Sequence, residues 1–76
     1  MKYSSAIECG QQRLWSHATI QKNPSETQQW FVMLVDKEQL SHMLLNDTGE
    51  PMLSDDLNSF IDVFKTLRIR EFTVFL

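Results

Sequence analysis

The residues of this chain able to do chemistry are few, and their spacing limits what they could do. Cys9, His17 and His42 are the only soft metal ligands. A structural zinc site takes four Cys or His ligands in closely spaced pairs, and three isolated ligands do not supply them. Cys9 as a nucleophile would need a base within hydrogen-bonding reach. His17 could meet it across a hairpin, although nothing in the spacing requires that. The pattern reads as two partly exposed sheet histidines and a small half-buried thiol. No catalytic residue, no metal site and no cofactor site is expected.

A second grouping is acidic. Asp47, Glu50, Asp55 and Asp56 crowd into one stretch with no base among them. Calcium loops alternate oxygen ligands around a central glycine and end in a bidentate glutamate, an order lacking here. The run reads as a solvated loop leading into a capped helix, and as an acidic patch able to meet a basic surface on a partner. Within it, Asp47-Thr48-Gly49 after Leu44-Leu45 is similar to the D-T-G loop of retroviral-type aspartic proteases, in which two copies bring their carboxylates together. Asn46 separates the apolar pair from Asp47, and Glu50 stands where that family has a small residue. No second glycine loop follows, Gly10 being the only other glycine. An Asp/Gly turn leaving a strand accounts for the three residues.

Tyr3, Trp15, His17 and Trp30 could stack bases from a sheet surface. Single-strand binders add a positive groove to such aromatics, whereas Glu8, Arg13, Lys22 and Glu26 nearly cancel. The chain carries a net charge of -3 and a pI near 5.1, and its seven Lys and Arg are scattered along the sequence. Phosphate backbones are repelled by that balance, so a nucleic-acid partner is not expected, nor is an anionic membrane surface. No glycine-rich phosphate loop is present. One cysteine leaves no intrachain disulfide and suits a reducing compartment. Residues 1–20 lack a secretory leader pattern, and no run of roughly 18 apolar residues occurs. Cytoplasmic residence is therefore expected.

These side chains need elements to hold them. Leu57, Phe60, Ile61, Phe64 and Leu67 recur at helical steps, so the spacing predicts a helix from Ser54 to about Arg68. Ser54 is its expected N-cap, followed by Asp55 and Asp56 at the positive end of the dipole. Trp30–Asp36 is apolar on both faces, the mark of a strand covered on two sides. Leu40–Asn46 reads as its hairpin partner, with a turn at Asn46–Pro51 in which Gly49 supplies a positive φ. Phe72, Val74 and Leu76 alternate with Glu71, Thr73 and Phe75, which predicts a final strand. Residues 5–20 admit two readings. Two strands, Tyr3–Cys9 and Leu14–Ile20, are preferred. A helix opened by the Ser5-x-x-Glu8 capping box is the rival, since Gly10 inside it would cost about 1 kcal/mol.

The 76 residues thus predict one α+β domain, residues 1–76. Its expected architecture is a small antiparallel sheet of four to five strands, order β-β-β-β-α-β, packed on one C-terminal amphipathic helix. A single helix cannot shelter both sides of the middle hairpin, so one apolar face is left over. The expected function is that of a small non-enzymatic interaction or assembly module that self-associates, as a homodimer or with a protein partner, through that face. Trp15, Trp30, Phe31, Met33, Met43 and Phe75 are its expected anchors, because aromatic and Met side chains are enriched at interface cores. The alternative is a small acidic inhibitor or accessory protein, of the kind carried by bacterial or phage mobile elements, that docks on a basic surface of a nucleic-acid-handling protein.

Overall fold

Alternating apolar side chains make the middle of the chain extended, and helical spacing makes both flanks coil back over it. A computed structural model describes residues 1–76. Its elements run α1 (Tyr3–Gln11), β1 (Trp15–Asn23), β2 (Glu26–Asp36), β3 (Ser41–Met43), α2 (Asn58–Thr66) and β4 (Phe72–Val74). The four strands form one sheet in the order β3-β2-β1-β4. β1 pairs antiparallel with β2, and β2 with β3. β4 returns parallel to β1, with Ala18 opposite Phe72 and Ile20 opposite Val74. The sheet is therefore mixed, and two helices accompany it, where an antiparallel sheet with one helix was expected.

Both helices lie on one side. Ala6 of α1 and Phe60 and Phe64 of α2, with Leu67 just beyond, join Ala18 and Ile20 of β1 and Val32 and Leu34 of β2 in one core cluster. Of the two readings of residues 5–20, the helix holds for the first half, as α1, and the strand for the second, as β1. Gly10 is the reason the helix can sit there. A Cβ on Gly10 would lie 2.4 Å from the carbonyl oxygen of Leu67. The glycine that looked like a penalty lets the ends of α1 and α2 touch. Both helices close alike: the amides of Leu14 and Arg13 donate to the carbonyls of Cys9 and Gly10, and those of Ile69 and Arg68 to Phe64 and Lys65. This is the Schellman pattern, with Arg13 and Arg68, each at φ 60, in the left-handed position that usually falls to glycine.

Other departures have local causes. The amide and carbonyl of Ser54 bond to Trp30, which holds Ser54 extended, so α2 starts only at Asn58. β3 stops after Met43 because Leu45 turns away to bond Met1. A register shift between Trp15 and His17 breaks the alternation of β1. It sends Trp15 to the helix side, where it is 7% exposed and its Nε1–H donates to the carbonyl of Ala6 over 3.0 Å. Trp15 is therefore a core residue and not a surface anchor. Gly49 does adopt the left-handed turn conformation, at φ 92.

Candidate functional site

With both helices on one side, the reverse of the sheet has no element over it. The register sets its pattern. Met33 of β2 lies between Thr19 and Met43, Phe31 lies opposite Gln21, and Val35 lies between His17 and Ser41. Phe31 and Met33 are half-buried and Met43 is 37% exposed, and none of the three belongs to the core cluster or packs against it. Phe75, 53% exposed, follows β4 and donates its amide to Ile20. Its alternation with Val74 puts it on this same reverse side. Trp30 points the other way, at the rim of the core, with the Lys22 Nζ 5.5 Å from its ring centre. No Asp, Glu, Lys or Arg stands on this face from His17 to Gln21 or from Phe31 to Val35, and Glu26 pairs with Asn23 at the end of the β1–β2 hairpin.

The histidines fall on opposite faces. His17 faces the reverse side, where its Nδ1 shares a hydrogen bond of 3.1 Å with the Ser16 hydroxyl. His42 pairs with Leu34 on the helix side and sits edge-on to Trp15, ring centres 5.8 Å apart. Its Nε2 lies 3.0 Å from a carboxylate oxygen of Asp36. That hydrogen bond, with help from the Leu40 amide, holds the Asp36 carboxyl below its ordinary value. Cys9 lines a cleft of about 220 Å³ together with His42 and Asp36, not beside His17. No three of the His, Cys, Asp and Glu side chains gather closely enough to hold a metal ion.

Two of the four acidic residues of the loop are occupied with structure. Asp47 accepts the Ser4 amide at 2.9 Å and so caps α1 from across the chain, which also lowers its carboxyl pKa. Lys2, at the cap position, has no side-chain acceptor to offer. Asp56 accepts the Asn58 amide at 2.9 Å, and the Ser59 hydroxyl donates to its carbonyl. Glu50 and Asp55 are exposed.

One grouping escaped the sequence. Five of the seven cationic side chains, Arg13, Lys37, Lys65, Arg68 and Arg70, line a single cleft of about 660 Å³ where the two helix ends meet. Gly10, Trp15, Leu67 and Ile69 complete its walls, and no acidic residue lines it. The chain's one ion pair is Asp36–His42, so all five cations are free of carboxylate partners. Only Arg68 and Arg70 are near in sequence. The others arrive from the end of α1, the β2–β3 turn and the last turn of α2. The one available signal was that helix ends favour cations, which would have put Lys65 and Arg68 together at the C-terminus of α2.

No helix is long and apolar enough to cross a membrane. No family model, curated protein or solved structure matches the chain.

Proposed function

We propose that this protein is a non-enzymatic assembly module that pairs with a second copy of itself through the reverse face of its sheet. The observation that carries the reading is the run Phe31, Met33, Met43 and Phe75 on a face over which the chain lays no element. A second copy is the favoured occupant on charge. Two chains at -3 repel one another over most of their surface, while the middle of this face, from Gln21 and Phe31 across to Ser41 and Met43, carries no Asp, Glu, Lys or Arg. An isologous pair sets uncharged surface against uncharged surface. A stable interface needs about 800 Å² per partner, about one-sixth of the 4998 Å² that the chain exposes.

Sedimentation of the whole chain at micromolar concentration tests the proposal. The expected species has twice the 8.9 kDa mass, and Phe31→Asp or Met33→Asp returns it to monomer with its circular dichroism unchanged. A wild-type chain that stays monomeric ends the reading. Association that survives Phe31→Asp but disappears on charge reversal at Glu50 and Asp55 transfers the contact to the acidic loop.

A further inference from the structure

We infer that the cleft between the two helix ends binds a small molecule carrying linked phosphate groups. The site lies on the helix side of the sheet and is independent of the pairing face. Five cationic residues line it without one carboxylate partner, in a protein whose overall charge is negative. A helix C-terminus recruits cations through its dipole, and that accounts for Lys65 and Arg68 at the end of α2 and for Arg13 at the end of α1. It does not account for Lys37 and Arg70. The carbonyls of Cys9, Gly10, Phe64 and Lys65 already accept the closing amides of their own helices, which blunts the negative ends that would otherwise oppose an anion.

The backbone adds an independent argument. Arg13 and Arg68 both hold φ 60 at the position after a helix where glycine is the unstrained choice. Each helix end would be easier to close with glycine, yet each carries an arginine, and both arginines line the same cleft. Strained residues cluster at functional sites. Of the three non-glycine residues at positive φ, Arg13 and Arg68 line the cleft, and Gln39 sits in the β2–β3 turn.

The ligand class follows from charge density and shape. Guanidinium forks bind phosphate oxygens in pairs, and three of the five cations are arginines. Linked phosphates concentrate several negative charges within a few ångströms and fit inside a cleft of about 660 Å³. A long nucleic-acid strand fits poorly. Beyond the cleft it would cross a surface holding ten carboxylates and only two cations, Lys2 and Lys22.

Titration calorimetry of the whole chain with tripolyphosphate, inorganic phosphate, citrate and a single-stranded oligonucleotide tests the assignment. Tripolyphosphate is expected to bind at one per chain, more tightly than phosphate or citrate, and to weaken as salt rises. Arg13→Gly with Arg68→Gly is expected to keep or raise the melting temperature while weakening tripolyphosphate by about tenfold per arginine. Arg70→Gln, at an ordinary backbone position, is expected to weaken it by a similar factor. Silence with tripolyphosphate, equal binding of citrate, tighter binding of the oligonucleotide, or unchanged affinity in both variants each overturns the proposal.

Discussion

The two faces of the sheet come from the same strands and the same alternation, yet they end in different states. Toward the helices, Ala18, Ile20, Val32 and Leu34 are between 0% and 1% exposed. On the reverse, Val35 is 8% exposed, but Phe31 and Met33 are only half-buried and Met43 is 37% exposed. In β2 hydrophobicity does not separate them, since Phe31, Met33 and Val35 are as apolar as Val32 and Leu34, whereas β1 turns Ala18 and Ile20 to the helices and His17, Thr19 and Gln21 to the reverse. What separates them is that α1 and α2 both cover the same side. The fold closes one interior and leaves on the other side an apolar strip along β2 and Met43, flanked by Thr19, Gln21 and Ser41, without a helix over it.

Truncating one face and then the other tests this contrast most strongly. Leu34→Ala is expected to cost about 2–5 kcal/mol, against a total stability on the order of 5 kcal/mol for so small a domain. Urea denaturation should then find much of the variant unfolded in buffer. Met33→Ala, one residue away, is expected to cost under about 1 kcal/mol in dilute solution, and more at concentrations where copies pair. Equal costs in dilute solution would mean that the reverse face is closed after all.

Gly10→Ala probes how the covered side is assembled. Its methyl would meet the Leu67 carbonyl at 2.4 Å, so the helix ends must separate, at an expected cost of about 1–3 kcal/mol. Thermal melting reads the loss. A melting temperature raised by the better helix former would show that the two helix ends yield without strain.

The smallest effect concerns the loop that reaches across to α1. The Ser4 amide holds the Asp47 carboxyl below its ordinary value near 3.8. A lowered carboxyl stabilises the fold above that value, and its contribution disappears as pH falls through the lower folded value. Wild-type stability should therefore drop on acidification below about pH 4, and Asp47→Asn should flatten part of that drop. An identical acid profile in the variant would remove Asp47 as a cap.

Much of this architecture could be read before any coordinates. Trp30–Asp36 announced a strand apolar on both sides, Phe60 and Phe64 announced the face of α2, and Phe72 and Val74 announced the last strand. What escaped was set by contacts between distant segments. Gly10 looked like a helix breaker because its partner, the Leu67 carbonyl, lies far along the chain. Trp15 looked like a surface residue because a one-residue register shift is invisible in strict alternation. The cationic cleft was hidden for the same reason. Arg13, Lys37 and Lys65 have no proximity in sequence, and only the meeting of two helix ends makes neighbours of them.

The parallel return of β4 to β1 sets an order of events. The bonds from the Ala18 amide to Glu71 and from the Phe75 amide to Ile20 cannot form until residues 71–75 have been synthesised. Until then the outer rim of β1 shows unpaired amides and carbonyls, a template for any extended neighbour. A ribosome-tethered chain passes through that vulnerable stage every time, and joining segments so far apart is a slow step in folding.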